Sequence, residues 1–206
     1  MKSRIVRMLC LGTSAALIVA SGGFASAQGT ASLTDLLGQL KTAASSSGDA
    51  TLKSLGGDLS SKIQSLNKSL TGKPDTQNQV SGALQSLLDN KGGDSLGAFQ
   101  KLSQAKLTPE QTKLAKDVGH LGSAYLVQKN LASLEGSQSE VGQIVGSLRK
   151  GNVTEALPAI QKVSQNAKLT PAQKDLLTSV ADKFAPGASK VSGALKGVKG
   201  IPSLGK

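Results

Sequence analysis

The stretch Ala98-Phe-Gln-Lys-Leu-Ser-Gln-Ala-Lys-Leu-Thr-Pro-Glu-Gln111 occurs twice in this chain. It returns as Ala159-Ile-Gln-Lys-Val-Ser-Gln165 and, after one extra residue, as Ala167-Lys-Leu-Thr-Pro-Ala-Gln173. Eleven of the fourteen aligned positions are identical, and two of the other three stay apolar. A duplicated stretch of this length predicts a fold that repeats one unit of secondary structure.

The repeat extends on both sides of this stretch. Residues 80–87 align with residues 141–148 at a spacing of 61, and the extra Asn166 changes the spacing to 62 for residues 114–118 and 176–180. Apolar residues recur at helical intervals, which predicts three helices in each unit. The first helix is expected to end near Gly92-Gly93, the second to run from about Ser95 to Gln104, and the third to run from Thr108 to about Leu131.

The third helix of each unit begins with a recognisable capping sequence. A threonine at the N-cap can accept a hydrogen bond from the backbone, a proline fits the first helical position, and a glutamine three residues after the threonine completes a capping box. The extra Asn166 of the second copy lies just before this cap, where it leaves the apolar faces of the helices on both sides in register. The sequence therefore assigns a structural capping role, and no catalytic one, to Thr108, Pro109, Gln111, Thr170, Pro171 and Gln173.

Two more helical stretches are expected before the repeats, one of them with leucines near heptad spacing that would suit either a bundle face or helix pairing. Gly56-Gly57 is a candidate break in it, and Thr71-Gly-Lys-Pro-Asp75 reads as a loop. The predicted organisation is a signal peptide (1–27), a helical N-terminal segment (28–75), two repeat units (76–137 and 138–187) and a Lys/Gly-rich tail (188–206). The predicted fold class is all-α, with about eight helices in a bundle or short helical array.

The first 27 residues have the layout of a secretory signal peptide. Three basic residues precede an apolar run from Met8 to Ala20, and Ala25-Ser-Ala27 matches a cleavage site. The apolar run is shorter than the roughly twenty residues needed to cross a bilayer as a helix. We therefore expect cleavage after Ala27, no transmembrane segment afterwards, and export to the periplasm or the extracellular space.

The charge is positive but scattered. Removal of three basic residues with the signal would lower the formal net charge from +11 to +8. Such a charge favours contact with anionic surfaces that weakens with salt, and the tail adds Lys190, Lys196 and Lys199. Nucleic-acid binding is not expected, because export separates the protein from that partner and no aromatic residues accompany the lysines.

The sequence lacks the residues that most enzymes need. The one cysteine, Cys10, lies in the predicted signal peptide, so no disulfide or zinc–thiolate site is expected in the mature chain. His120 is the only histidine, and with Asp117 it would make at best a two-ligand metal site; a solvated histidine is the interpretation that we favour. We expect no enzyme activity, no cofactor and no metal.

Acidic residues have a structural explanation in this scheme. A negative charge near the start of a helix opposes the helix dipole. Eight acids are expected at or within the first turn of a helix, which leaves few for catalysis: Asp35, Asp49, Asp75, Asp94, Glu110, Glu140, Glu155 and Asp175.

The paired Leu107-Thr-Pro-Glu-Gln111 and Leu169-Thr-Pro-Ala-Gln173 resemble the LTxxQ motifs of the Spy-type periplasmic chaperones. That resemblance implies an exported, basic, all-helical protein without an active site, forming a cradle-shaped dimer that shields unfolded clients. The mature chain departs from the family in lacking methionine and in having one arginine.

Three functional hypotheses follow from the sequence. The first is a structural or protein-interaction role, with an unknown protein partner or self-association. The second is a holdase chaperone of the Spy type. The third is weak contact with an anionic surface of the cell envelope. We expect the function to lie in the residues that the two units do not share. These include His120, Tyr125 and the tail.

Overall fold

Residues 31–184 are described by the computed structural model, and they form eight α-helices joined by short connections. The helices pack in a bundle-like array, and residues 31–184 contain no strand, so the all-α prediction is confirmed. The predicted signal peptide and the tail at 188–206 lie outside the described residues. The helices are α1 (Leu33–Ser46), α2 (Ala50–Ser69), α3 (Pro74–Leu88), α4 (Gly92–Gln104), α5 (Pro109–Leu131), α6 (Gln138–Arg149), α7 (Val153–Ser164) and α8 (Pro171–Phe184).

Side-chain caps explain where the first two helices begin. The Ser32 hydroxyl accepts a hydrogen bond from the backbone N–H of Asp35 at 3.2 Å. The Asp49 carboxylate accepts from the N–H groups of Thr51 and Leu52 at 2.7 and 3.1 Å. Each bond satisfies a backbone donor that has no partner inside its helix.

The turn after the first helix of each unit has the same backbone geometry in both copies. Asn90 after α3 and Gly151 after α6, 61 residues apart, both adopt the left-handed conformation, with φ of 60° and 77°. In each case the next N–H bonds back to a carbonyl five residues earlier, at 2.9 Å (Lys91 to Ser86 and Asn152 to Ser147). This is the Schellman pattern of helix termination, so the repeat is present in the backbone as well as in the sequence.

Several predicted boundaries were wrong. Gly92 and Gly93 begin α4 instead of ending the helix before it, because α3 already ends at Leu88. Pro74 occupies the first position of α3, where its missing N–H costs nothing, so α3 starts inside the predicted loop. Asp175 lies beyond the first turn of α8, whereas the other seven acids lie at or within the first turns as expected.

Gly56-Gly57 does not break α2, which is continuous from Ala50 to Ser69. Gly56 has a packing role instead: a Cβ placed on it would lie 2.5 Å from the Cβ of Ala44. The absence of a side chain therefore allows α1 to approach α2 closely.

Pairs of contacts at opposite ends show how the helices are oriented. The start of α2 meets the end of α5, where Gln128 Nε2 donates to Asp49 Oδ2 at 2.6 Å, while the end of α2 meets the start of α5. The two helices are therefore antiparallel. Glu140 at the start of α6 pairs with Lys162 at the end of α7, which makes these helices antiparallel too.

One continuous apolar core runs through both repeat units and the N-terminal helices. Leucine, valine, alanine and isoleucine supply most of it. The largest of its fully buried side chains are Tyr125 and Phe99, each 1% exposed. Phe99 and its repeat equivalent Ile160 both lie in the core, which confirms that the two copies direct the same face inward.

Candidate functional site

The six predicted capping residues lie at the starts of α5 and α8. Thr108 Oγ1 accepts from the N–H of Gln111 at 3.3 Å, and Gln111 Oε1 accepts from the N–H of Thr108 at 3.1 Å. Thr170 and Gln173 form the same two bonds at 3.3 and 2.9 Å. Pro109 and Pro171 are the first residues of their helices. These residues set the backbone and carry no further reactive chemistry.

Each capping glutamine also binds a neighbouring helix, which sequence reasoning missed. Gln111 Nε2 donates to the backbone carbonyl of Ser69 at 2.5 Å, and Gln173 Nε2 donates to that of Asn130 at 2.7 Å. Ser69 and Asn130 are 61 residues apart, which is one repeat. The end of α2 therefore bonds to the start of α5 in the same way as the end of α5 bonds to the start of α8.

The connections after α2 and α5 repeat this equivalence. The N–H of Lys73 donates to the carbonyl of Leu70 at 2.9 Å, and Leu134 donates to Leu131 in the same way at 3.0 Å. All of these positions are related by a shift of 61. The segment at 28–75 thus ends as a repeat unit ends, although its sequence did not reveal this.

Asn166, the extra residue of the second copy, lies in the connection between α7 and α8. Its Nδ2 donates to the carbonyl of Glu135 and to Ser137 Oγ, both at 2.9 Å. The inserted residue therefore joins the α7–α8 connection to the α5–α6 connection through hydrogen bonds. It leaves both neighbouring helices in register, as the sequence predicts.

A polar groove crosses the face formed by α2, α4, α5, α8 and the turn between α6 and α7. It consists of three adjoining depressions of about 350, 140 and 680 Å³. The first two share Lys62, Leu121 and Arg149, and the last two share His120 and Gly151. The three depressions are neighbours, because adjoining ones share lining residues, and we call them together the His120 groove.

Charged, amide and hydroxyl side chains dominate the His120 groove. Lys62 Nζ lies 3.0 Å from Asp117 Oδ2, and Arg149 Nη2 lies 2.5 Å from Asp58 Oδ2. Among the residues that the structure describes, no aromatic side chain other than the imidazole lines any of the three depressions. The widest depression adds these polar side chains: Gln100, Ser103, Gln104, Thr112, Asn152 and Thr154.

His120 is half-buried and lines two of the three depressions, so it is less exposed than a fully solvated histidine. Burial lowers the pKa of the imidazole, and the neighbouring charges act in opposite directions: Asp117 raises the pKa and Lys116 lowers it. A Cβ built on Gly151 would lie 3.3 Å from His120 Nδ1. The glycine that the left-handed turn favours therefore also gives the imidazole its space.

Tyr125 belongs to the core and not to a functional surface. Its side chain is 1% exposed, and burial raises the pKa of its hydroxyl. It was grouped with His120 because both lie on the long helix α5. Five residues separate them, which at 3.6 residues per turn places them on different faces of the helix.

The described part of the chain contains no group of three or more His, Cys, Asp or Glu side chains suited to hold a metal ion. None of the helices within residues 31–184 combines the length and hydropathy needed to span a bilayer. Comparison of the chain with family models, curated proteins and solved structures found no significant match. The resemblance to Spy-type chaperones thus rests on the two short motifs alone.

Proposed function

We propose that this protein is an exported, non-catalytic helical-repeat protein that acts by binding a partner protein or a second copy of itself. The His120 groove is the proposed binding surface. The observation that carries this proposal is that the three depressions adjoin one another: together they present hydrogen-bonding groups along an extended stretch of the surface. An extended polar polypeptide segment presents matching donors and acceptors at regular intervals.

Other ligand classes fit the groove less well. Sugars and nucleic-acid bases are commonly held by stacking on aromatic rings, and the groove is poor in such rings. A small apolar ligand would need a mostly apolar pocket, whereas residues with amide, hydroxyl or charged side chains are the majority of those that line the widest depression. A polar protein segment is the class that these side chains favour.

A pull-down from the native extract at moderate salt tests the proposal. Thr112→Arg places a long cationic side chain in the widest depression, and Thr42→Arg makes the same change on an exposed position of α1. We expect the wild-type protein and Thr42→Arg to retain the same partner and Thr112→Arg to lose it. Sedimentation of the purified protein reports self-association in the same three samples.

The proposal fails if the wild-type protein retrieves no partner and sediments as a monomer. It also fails if both arginine variants bind like the wild-type protein, because binding would then not involve the groove. Fractionation of the source cells tests export separately: the protein is expected outside the cytoplasm.

Holdase activity is the alternative that the LTxxQ-like motifs suggest. In both copies the glutamine of the motif is engaged in the cap and in a bond to a neighbouring helix. A holdase of this type should suppress aggregation of a denatured client at near-stoichiometric ratios. Absence of suppression would exclude this alternative without affecting the groove proposal.

A further inference from the structure

We propose that the widest depression of the His120 groove binds the protein's own chain after α8, the segment at 185–189, within the same molecule. This inference rests on the proposed function in one respect, that the groove accommodates a polypeptide segment. It adds the identity of one such segment and a consequence for regulation. A partner protein that uses this part of the groove has to displace the segment first.

The helices α4 and α8 lie side by side and run in the same direction. A Cβ built on Gly92 would lie 3.0 Å from Leu176 Cδ1, and one built on Gly97 would lie 3.0 Å from Lys183 Nζ. Residue numbers therefore increase together along the two helices, which makes them parallel. The glycines allow this close approach because they have no side chain.

The helix α4 extends beyond the level at which α8 ends. Gly97 already faces Lys183, and α4 continues for seven more residues to Gln104, about 10 Å at 1.5 Å per residue. Side chains from this last part of α4 and from the end of α8 line the same depression: Gln100, Ser103, Gln104, Asp182 and Lys183. The widest depression therefore continues along α4 in the direction in which α8 points.

The sequence favours a change of conformation at this point. Phe184 is the last residue of α8, and the chain continues as Ala185-Pro-Gly-Ala-Ser189. Proline has no N–H and disfavours a helical conformation for the residue before it. The equivalent helix α5 continues eleven residues past His120, whereas α8 ends two residues past the equivalent Asp182. The chain therefore leaves α8 at the edge of the widest depression.

The depression offers hydrogen-bonding groups and room for such a segment. Within residues 31–184, the side chains of Gln100, Gln104 and Thr112 make no hydrogen bond, so they are available to backbone N–H and C=O groups. The lining residues of α5 run from Thr112 to His120, about 12 Å along the helix. Five extended residues can span roughly 16–18 Å. The small side chains at 185–189 also let the backbone approach the lining closely.

The charges of the depression do not oppose this contact. Its lining contains two lysines and two acids, Lys116, Lys183, Glu155 and Asp182. The tail has four lysines and no acid, so a lining with excess positive charge would repel it. The small depression has such an excess, with three basic residues and one acid. A segment joined directly to α8 also has a high effective concentration at this surface, which favours binding within one molecule.

Cross-linking between introduced cysteines tests the contact in the mature protein, since the only cysteine of the chain lies in the predicted signal peptide. Ser189→Cys places one thiol in the segment, and Gln100→Cys places the other in the depression. The matched control combines Ser189→Cys with Gln161→Cys. Gln161 is the repeat equivalent of Gln100, is exposed on α7 and does not line the depression. With oxidised glutathione as the oxidant, the Gln100→Cys pair should form an intramolecular disulfide about tenfold faster than the control pair, because binding raises the effective concentration of the two thiols.

The arginine variants connect this test to the groove. Thr112→Arg should slow disulfide formation in the Gln100→Cys pair, and Thr42→Arg should leave its rate unchanged. Equal rates for the two cysteine pairs would overturn the proposal. So would disulfides that form only between two molecules, because a second copy would then be the occupant. The pull-down decides the proposed function separately: a fast intramolecular disulfide without any partner or self-association would support the segment contact and exclude the proposed function.

Discussion

The two repeat units agree in the residues that set the backbone and disagree in the residues that line the His120 groove. Both units form the same capping box, the same left-handed turn and the same bond from the capping glutamine to an earlier helix. In contrast, His120 and Lys150 have acidic equivalents in the other copy, Asp182 and Asp89. Positions that determine the fold and positions that face the groove are therefore separate sets in this protein.

The units also differ in how deeply the shared features are buried. Gln111 is 7% exposed and also accepts a hydrogen bond from Lys73 Nζ at 3.2 Å, whereas Gln173 is only partly buried. The first junction lies between two helices that pack along their whole length, α2 and α5. The second is less buried, so equal local sequences need not contribute equally to stability.

The largest expected effect is on stability. It comes from removing a core side chain at equivalent positions of the two units. Phe99→Ala should lower the free energy of unfolding by about 3–5 kcal/mol and Ile160→Ala by about 2–5 kcal/mol, because both remove fully buried side chains. Urea denaturation followed by circular dichroism measures both values. Because one core spans both units, each variant should unfold in a single transition.

Ala43→Gly, at an exposed position of α1, controls for the cost of a substitution outside the core. This variant should lower the free energy of unfolding by about 1 kcal/mol, which is the difference in helix propensity between alanine and glycine. Separate transitions for the two units, or a loss below about 1 kcal/mol for either core variant, would contradict the shared core.

The next effect concerns the two capping glutamines. Gln111→Ala should cost about 1–3 kcal/mol, since it removes a cap acceptor and the donor to the Ser69 carbonyl at a position that is only 7% exposed. Gln173→Ala should cost less, about 0.5–1.5 kcal/mol, because water can replace its bonds. The same urea experiment compares them.

Glutamate substitutions separate the two roles of these residues. Gln111→Glu keeps a cap acceptor but cannot donate to the Ser69 carbonyl, so it should retain helix capping and lose the bond between helices. If Gln111→Glu and Gln173→Glu lower the free energy of unfolding by the same amount, burial does not distinguish the two junctions.

The sequence predicted the elements that depend on local chemistry. The capping boxes, the all-α class, the inward faces and the absorption of Asn166 in a connection all follow from residue spacing, and the structure agrees with them. Two of the errors came from glycine: Gly56 and Gly92 looked like helix stops because an isolated glycine lowers helix stability. Packing against Ala44 and Leu176 explains them instead, and such partners lie far away in the sequence.

The groove was beyond sequence reasoning for the same reason. It joins residues from α2, α4, α5, α8 and one turn, and only the tertiary arrangement brings Lys62, His120 and Arg149 together. The difference between His120 and Asp182 in the repeat alignment was the available signal. It marked where the units diverge: of the two residues, His120 lines the groove, whereas Tyr125 lies in the core.

A smaller effect is expected from the titration of His120. Its pKa is lowered in the folded protein from 6.5 by burial, so the unfolded chain binds the proton more readily. Stability should therefore be complete above about pH 6.5 and fall as the pH decreases from there through the folded-state pKa. Denaturation midpoints between pH 7.5 and pH 5 measure this dependence.

The variant His120→Asn removes the titrating group and should flatten the profile in this range. Asp49 and Glu140 have lowered pKa values as well, through hydrogen bonds from Gln128 and Lys162 respectively. They lose stabilisation only in more acidic solution, below the ordinary carboxyl range. An unchanged slope in His120→Asn would mean that another group produces the dependence.

The smallest effect is expected at Arg149, whose equivalent in the first copy is Leu88. Leu88 packs partly against the core, whereas Arg149 bonds to Asp58 and Ser54 of α2 with its side chain 44% exposed. Arg149→Leu should change the free energy of unfolding by less than about 1 kcal/mol, because exposed ion pairs contribute little. It should also reduce the dependence of stability on salt. A larger loss, insensitive to salt, would mean that the second unit uses Arg149 to hold α6 on α2, as the first uses apolar packing at the same position.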